Sequence, residues 1–528
     1  MIRRGKLKVG LLLVWSVGLP FLSVAQKSNW FNLDLATDSV FGISTERAYN
    51  ELLKGKKYVP VTVAVLDAGV DIEHEDLKSV LWVNKKEKSG NGKDDDKNGY
   101  IDDVHGWSFL GSKAGNVHYE ALELTRLVRR DRARFDHLEI SDVKEADLKD
   151  YTAYLVNKNT LEERLLKAKV DLEYYEMFKN DVENTVVKMG KTNPSYQDFV
   201  DFVPTTNRET NVRKYLLPIL SERSFETYFQ EQILGGYEHA KEEVEYSLNI
   251  DFNPRSIVGD DINNPREQFY GNTDVAGPDA MHGSHVAGII AADRNNGIGI
   301  KGVANHVAIM AVRCTPSGDE RDKDVANAIR YAVDNGAKVI NMSFGKGYAT
   351  DKNVVDDAVK YAVAKDVLLI HAAGNENKNL EEEPNFPNFK YEDGGTAASW
   401  LTVGASGWDN DGTIKASFSN YGKTTVDVFA PGVDLNSTVP GSKYQALSGT
   451  SMAAPVVAGL AALIRSYYPN LTAVQVKDII MQSVVKVEQK VLVMQHGKNN
   501  ELAFTDLCVT GGIVNAYNAL KLAATYAK

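Results

Sequence analysis

Strands that are apolar on both faces constrain this fold most, because such strands belong inside a parallel sheet. Residues 57–71 contain a β-branched apolar run that ends in Asp67 and Gly69. Further along, three predicted strands alternate with two predicted helices, over residues 307–312, 324–335, 338–343, 353–364 and 367–372. This alternation is typical of right-handed parallel crossovers. We therefore expect an α/β domain of three layers with a mostly parallel central sheet.

The composition narrows the class of protein. The chain has 528 residues, of which 43% are hydrophobic and 25% are charged, so a large core is expected. The formal net charge of -11, without a basic patch that contains aromatic residues, argues against nucleic-acid binding. Cys314 and Cys508 are the two cysteines, so no disulfide framework is expected.

The first 25 residues have the layout of a secretory signal peptide. Four basic residues among the first eight precede an apolar run, 9–22, and three small residues, 23–25. We expect cleavage after Ala25 and export to a periplasm or to the medium, with no transmembrane anchor left after cleavage. The alternative is a short N-terminal membrane anchor, which Pro20 and the shortness of the run oppose.

Residues 91–103 are rich in acids. Acidic and amide residues at alternate positions, followed by a glycine, are similar to the opening of an EF-hand-type loop, where oxygen ligands surround Ca²⁺. The twelfth position, however, is His105 instead of glutamate. We predict a structural calcium site, with a solvated acidic turn as the alternative. The candidate ligands are Asp94, Asp96, Asn98, Asp102 and Asp103.

Residues 111–254 differ in character from the rest. Apolar residues recur there at intervals of three and four between charged residues, which indicates amphipathic helices. We expect one or two long helices over 137–190, and a helical stretch over 222–246 that is interrupted at Gly235 and Gly236. The whole region is interpreted as an α-helical insertion whose charged residues face water. A substrate-guiding or autoinhibitory role is the alternative.

Several polar residues lie at the predicted ends of strands and helices. Ser451 precedes a run of small apolar residues that predicts a buried helix, whose free N–H groups and dipole would stabilise an oxyanion. Asp67 and Asn375 follow strands, and His282 and His285 open another helix of small residues. Taken singly, each residue has a structural alternative as a cap, a turn residue or a core histidine. Zinc is disfavoured because no His-Glu-x-x-His pattern is present.

Together, four segments resemble the signature segments of the subtilisin-like serine proteases, also called subtilases or peptidase family S8. The segments are 67–69, 282–288, 373–375 and 449–455, in the family's order of Asp, His, Asn and Ser. The resemblance covers most of residues 55–110 and 255–520. It implies a subtilisin-like catalytic domain in two parts, 26–110 and 255–528, separated by the helical insertion, 111–254.

The resemblance also implies a secreted serine endopeptidase of broad specificity, a hydrolase acting on proteins or peptides through an acyl-enzyme. Ser451 would be the nucleophile, His282 the general base and Asp67 its orienting carboxylate. Asn375 and the N–H of Ser451 would bind the oxyanion. The acidic stretch would match a calcium-binding insertion of some members. The walls of the pocket before the scissile bond would be Ser343, Phe344, Gly345, Ala372, Ala373 and Gly374.

This chain departs from the family pattern at two positions. Ala68 follows Asp67 where serine or threonine is usual, so one hydrogen bond near the carboxylate should be missing and activity should be reduced. Phe344 replaces the usual leucine of the pocket wall.

Two other functions are alternatives: a catalytically silent binding module that uses the insertion as its interface, and an esterase or lipase. The latter is disfavoured because His496 is the only histidine after Ser451.

Overall fold

The computed structural model describes residues 29–495 and 498–526, so the predicted signal peptide lies outside the described residues. The strands are β1 (Val61–Asp67), β2 (Gly106–Ser108), β3 (Gly111–Ser112), β4 (Gly115–Asn116), β5 (Val307–Arg313), β6 (Val339–Met342), β7 (Leu368–Ala372), β8 (Trp400–Ser406), β9 (Val428–Pro431), β10 (Leu435–Val439), β11 (Lys443–Leu447), β12 (Val485–Lys486), β13 (Lys490–Gln495), β14 (Lys498–Ala503) and β15 (Gly512–Ile513). The helices are α1 (Leu35–Asp38), α2 (Thr45–Ala48), α3 (Glu123–Phe135), α4 (Leu148–Lys188), α5 (Tyr196–Asp201), α6 (Asn207–Leu220), α7 (Phe225–Tyr228), α8 (Gly235–Glu242), α9 (Met281–Ala291), α10 (Asp322–Asp334), α11 (Lys352–Ala364), α12 (Thr450–Tyr467), α13 (Ala473–Gln482) and α14 (Ala516–Tyr526).

Nine of the described strands form one central sheet, in the order β12-β15-β9-β8-β7-β6-β1-β5-β2. Neighbouring strands run parallel except at the β12–β15 edge. The strand predicted within residues 57–71 is β1, which lies between β5 and β6 and is buried at all but one residue. The predicted α/β class with a mostly parallel sheet is confirmed.

Helices cover both faces of the sheet. Successive side chains of a strand point to opposite faces, and those of β1 enter two different apolar clusters. Val63 and Val65 pack with α9 and α12, whereas Ala64 and Leu66 pack with α10 and α11. The sheet therefore lies between two helical layers, as the alternating pattern predicted. The central helix on the first face is α12, which is buried along almost its whole length because it is apolar on every side.

The helical segment, defined as residues 111–254, contains α3 to α8. The helix predicted over 137–190 is observed as α4, which has 41 residues. The predicted interruption at Gly235 and Gly236 is wrong, because helical backbone continues from residue 225 to 247 through α and π turns. A Cβ on Gly236 would lie 2.5 Å from a ring carbon of Tyr175, so this glycine allows close packing against α4.

Among the described residues, no helix is long and apolar enough to cross a membrane.

Candidate active site

The ends of two strands and the beginnings of two helices meet at one cleft of about 350 Å³. Asp67 is the last residue of β1, His282 is the second residue of α9, and Ser451 is the second residue of α12. Asn375 follows the end of β7 by three residues. All four side chains line the cleft, so the structure brings together residues that lie far apart in sequence.

His282 and Asp67 are hydrogen-bonded to each other in the cleft. Nδ1–H of His282 donates a hydrogen bond of 2.7 Å to Oδ1 of Asp67, which is 2% exposed. With Nδ1 protonated, Nε2 of the ring is the atom that can accept a proton. Burial lowers the pKa of His282, but the charge and hydrogen bond of Asp67, assisted by Asp279, outweigh burial and raise that pKa above 6.5. The imidazolium form is therefore stabilised where a general base needs it.

Two glycines permit this contact. A Cβ on Gly283 would lie 2.1 Å from the carbonyl oxygen of Gly69. Gly69 itself has φ +154°, and a Cβ there would lie 2.0 Å from the carbonyl oxygen of Ala276. A larger residue at position 283 would push α9 away from the end of β1, and one at position 69 would displace the loop that leads into α9. The glycines of both sequence motifs are thus explained by the close approach of His282 to Asp67.

Ser451 is held by a reciprocal pair of hydrogen bonds with Ser343. Its Oγ donates to the carbonyl oxygen of Ser343 at 3.0 Å, and Oγ of Ser343 donates to the carbonyl oxygen of Ser451 at 2.8 Å. Within the described residues, no hydrogen bond joins Ser451 to His282. Contacts between a nucleophile and its base are often loose without substrate, and rotation about one bond would release the Ser451 hydroxyl.

Asn375 faces the beginning of α12. Its Oδ1 accepts hydrogen bonds from the N–H and the hydroxyl of Thr450, at 2.8 and 3.0 Å. These two hydrogen bonds fix the orientation of the amide, and Nδ2 donates to no described residue. The N–H of Ser451 belongs to the first turn of α12, which lacks an intrahelical acceptor, and Gly449 provides no side-chain cap. Nδ2 of Asn375 and the N–H of Ser451 both lie 3.6 Å from the point where a Cβ of Gly449 would sit.

The predicted pocket walls mostly line the cleft. Those that line it are Ser343, Phe344, Gly345, Ala372 and Gly374. Ala373 instead packs into an apolar cluster behind the cleft. Sequence reasoning missed Asn385, whose Nδ2 donates to the carbonyl oxygen of Ala373 at 3.2 Å and which lines the same cleft. This asparagine lies in a loop without a local pattern, so no signal in the sequence distinguishes it.

His285, the second histidine of the α9 motif, does not line the cleft. Its side chain is buried, and one ring nitrogen lies 3.0 Å from the carbonyl oxygen of Gln445 in β11. Burial lowers the pKa of His285 to about 4, so the ring stays neutral. This position suits a core histidine that connects α9 to the β10–β11 hairpin.

Two of the predicted calcium ligands, Asp96 and Asp103, lie together with Glu87, which sequence reasoning missed. One carboxylate oxygen from each lies within 4.8 Å of the other two. Oε2 of Glu87 is buried and has no hydrogen-bond partner among the described residues. Three carboxylates within reach of one another, one of which has an unpaired oxygen, fit a cation such as Ca²⁺. Glu87 precedes the acid-rich stretch, which is why the spacing pattern did not include it.

The other predicted ligands hold the loop together. Asp94 accepts hydrogen bonds from two backbone N–H groups four and five residues further on. Asp102 accepts from two N–H groups earlier in the loop. Asn98 donates to Asp103 at 3.0 Å. The carboxylates of Asp94 and Asp102 therefore bind backbone and do not join the cluster of Glu87.

The fold and the cleft define a class of protein with a parallel sheet between two helical layers, in which aspartate, histidine and serine line one cleft at the carboxyl ends of the strands. The chain belongs to the Subtilase family, Peptidase S8, whose sequence profile matches residues 60–506. The resemblance inferred from the four sequence segments is thereby confirmed, as is the subtilisin-like fold class.

Several characterised proteins are similar to the chain. The Thermophilic serine proteinase of Bacillus sp. (strain AK1) is 42% identical over 220 residues, which cover 42% of this chain and 50% of that protein. Subtilisin of Bacillus pumilus is 43% identical over 202 residues, 38% of this chain and 68% of that protein. Subtilisin E of Bacillus subtilis (strain 168) is 42% identical over 202 residues, 38% of this chain and 49% of that protein. The chain thus spans about half the length of the first and third relatives.

Among solved structures, one titled as proteases from Pseudoalteromonas arctica PAMC 21717 shares 27% identity with the chain. The superposition covers 48% of this chain and 78% of that chain, with a TM-score of 0.40.

Proposed function

We propose that this member of the Subtilase family is a serine endopeptidase that hydrolyses peptide bonds in proteins or peptides. The observation that carries the proposal is the 2.7 Å contact between His282 and Asp67 in the cleft that Ser451 also lines. Base, orienting carboxylate and nucleophile are the three groups that acyl transfer of this kind requires.

In the proposed mechanism, Oγ of Ser451 attacks the peptide carbonyl carbon while Nε2 of His282 removes the hydroxyl proton. Asp67 orients the ring and stabilises the imidazolium. The tetrahedral oxyanion is bound by Nδ2 of Asn375 and the N–H of Ser451. Collapse expels the amine, which takes the proton from His282 and leaves an acyl-enzyme. Water, activated by the same histidine, then releases the acid and restores Ser451.

Substrate binding is proposed to depend mainly on main-chain contacts. The residue before the scissile bond would lie between segments 343–345 and 372–374, most of whose residues line the cleft. An extended peptide can pair with exposed strand edges through its own N–H and C=O groups. Since such pairing does not distinguish side chains, specificity should be broad.

A fluorophosphonate probe, which reacts with activated serines, tests this proposal. Wild-type protein should be labelled and should digest casein, and Ser451→Ala should do neither. Ser448→Ala is the matched control, because Ser448 lies three residues earlier and bonds to the exposed Asp434; it should retain both activities. Absence of labelling in folded wild type would favour a silent binding module. Labelling with hydrolysis of esters but not of casein would favour an esterase.

We propose that Glu87, Asp96 and Asp103 hold a structural Ca²⁺ ion. A cation that binds the folded chain in preference to the unfolded chain stabilises the fold. Bound calcium, measured by elemental analysis after gel filtration, should fall by about one ion per chain in Glu87→Gln, because the site loses one of its three negative charges and calcium affinity depends on ligand charge. The exposed Glu73→Gln is the control and should bind as much calcium as wild type. Equal calcium contents in all three proteins would contradict the proposal.

Export is also proposed, since the first 25 residues have the composition of a signal peptide. The protein recovered from the periplasm or medium of the expressing cells should begin at Gln26. Recovery in the cytoplasm with Met1 at the N-terminus would contradict this proposal.

A further inference from the structure

Two chain segments that line the cleft are called its first edge, residues 317–318, and its second edge, residues 343–345. The first edge is paired with the helical segment. The first edge contains Ser317 and Gly318. The N–H of Ser317 donates to the carbonyl oxygen of His118 at 2.8 Å, and its carbonyl oxygen accepts from the N–H of Glu120 at 2.8 Å. The pairing ends at Gly318, which has a left-handed φ of +114° and where a Cβ would lie 2.0 Å from the carbonyl oxygen of Glu120. Gly318 lines the cleft, and no described residue bonds to its N–H or C=O.

Arg126 in α3 supports the same edge from within the helical segment. Its guanidinium donates to the carbonyl oxygens of Asp319, at 2.8 Å, and of Glu320, at 3.0 Å. The residue is 8% exposed and forms an ion pair with Glu123 one turn earlier. Burial lowers the pKa of Arg126, but Glu123 and other acids outweigh burial and raise it, so the guanidinium stays charged. Because the guanidinium group is planar and its N–H donors have a fixed geometry, it fixes the two carbonyl groups relative to each other.

Lys346 connects the second edge of the cleft to the first. It directly follows Gly345, which lines the cleft, and its side chain is 1% exposed. The ammonium group donates to the carbonyl oxygen of Glu320 at 2.8 Å. It also contacts carboxylate oxygens of Glu123 at 2.9 Å and of Asp322 at 2.8 Å. The buried ammonium group of Lys346 therefore links the two edges to α3.

Glu123 is the centre of this network. Its carboxylate accepts hydrogen bonds from Arg126, Lys346 and Thr350, and its N–H donates to Oδ2 of Asp319 at 2.7 Å. Burial raises the pKa of Glu123, but Arg126 and then Lys346 hold it at about 2. Removing one partner of such a buried network leaves a charge without compensation. The network therefore specifies one arrangement of the two edges.

We propose that Arg126 and Glu123 are positioning residues that set the spacing of the two peptide-binding edges. This makes α3, which lies in the helical segment, part of the substrate site. The inference rests on the proposed endopeptidase function. An extended peptide contacts both edges with its main chain, so its binding depends on their spacing. A single-residue ester occupies the pocket beside Ser451 and does not span the two edges.

The test compares two esters with the same final residue and the same leaving group, one with a single residue and one with a tetrapeptide acyl group. Arg126→Lys keeps the positive charge but cannot hold both carbonyl groups with a planar fork. We expect KM for the tetrapeptide ester to rise about tenfold, with kcat nearly unchanged, as is typical when uniform binding is lost. Kinetics with the single-residue ester should change less than about twofold.

Arg132→Ala is the matched control. Arg132 lies on the same helix, is exposed, and pairs with Asp251 without contacting either edge. It should behave as wild type with both esters. Glu123→Gln is the second variant and should raise the same KM. It keeps the inference testable if Arg126→Lys does not fold.

The inference would be overturned if the variants that fold lost activity equally with both esters. It would also be overturned if they lost no activity with either ester. Fluorophosphonate labelling separates this result from a failure of the proposed function. A wild type that neither labels nor cleaves either ester is not a serine hydrolase. A wild type that cleaves both, with variants that do not discriminate between them, has an active site that α3 does not position.

Discussion

Residue 68, next to Asp67, is an alanine and lacks the hydroxyl that serine or threonine would provide. Oδ1 accepts hydrogen bonds from the N–H of Ala68, at 2.8 Å, and from His282. Oδ2 is buried and has no partner among the described residues, which agrees with the donor predicted to be missing at Ala68. Ala68→Ser adds a hydroxyl beside this carboxylate, and a hydrogen bond to a charged group contributes about 1.5–3 kcal/mol.

We expect Ala68→Ser to raise kcat for the tetrapeptide ester several-fold at nearly constant KM, because a better-held Asp67 orients His282 more strictly. Steady-state kinetics measure this effect. Ala68→Gly is the control, since it changes size without adding a donor. A serine variant that is no faster than the glycine variant would contradict the prediction.

Asp279 influences the base from the rim of the cleft. Its negative charge helps to raise the pKa of His282, and its Oδ1 accepts from the N–H of Met281 at 2.9 Å. Asp279→Asn keeps this hydrogen bond and removes the charge. The pKa of His282 should then fall, so the neutral, active base persists at lower pH. The acidic limb of kcat/KM against pH should therefore move to lower pH while the plateau is unchanged. A limb that stays in place, or moves to higher pH, would contradict this.

Individual helices and strands were predictable where their signal is local. The strand predicted over 307–312 is observed as β5, and the helix predicted over 324–335 as α10, with bounds differing by two residues or fewer. Charged residues of the helical segment were expected to face water, and this is wrong for Glu123 and Arg126, which are 5% and 8% exposed. Their partners lie about 200 residues away in the chain. An amphipathic pattern cannot identify such a distant buried partner.

The packing of α12 on its neighbours gives a prediction about stability. A Cβ on Gly459 would lie 2.7 Å from Cβ of Val303 and 3.2 Å from the carbonyl oxygen of Ile290. Although alanine is the better helix former by about 1 kcal/mol, overpacking a core typically costs about 1–3 kcal/mol. We therefore expect Gly459→Ala to lower the free energy of unfolding, measured by urea denaturation.

Gly235→Ala is the control for this comparison, because the nearest atom to its Cβ would be 3.4 Å away. This helical glycine has room for a methyl group, so the substitution should be neutral or stabilising. Equal effects of the two substitutions would contradict the packing argument.

Across the whole molecule, apolar packing separates the far end of the helical segment from the sheet. One apolar cluster, the far cluster, lies among α4, α5, α6 and α7 and includes Val182, Phe199, Leu216 and Phe225. Its described members all lie between residues 178 and 233. The cluster around α3, by contrast, includes Tyr348 from beyond the second edge of the cleft. Regions with separate cores open independently of the global unfolding reaction.

Hydrogen exchange can therefore separate two parts of one helical segment. We expect amides of residues 178–233 to exchange faster than those of β1 and α12, because the far cluster is small and lies outside the main core. An uncleaved peptide bound to Ser451→Ala should slow exchange at residues 118–126, which contact the first edge, and leave 178–233 unchanged. Mass spectrometry with and without peptide measures both effects. Protection spread evenly over the segment would mean that it responds to substrate as one body, and protection absent from 118–126 would mean that substrate does not engage the edge that α3 supports.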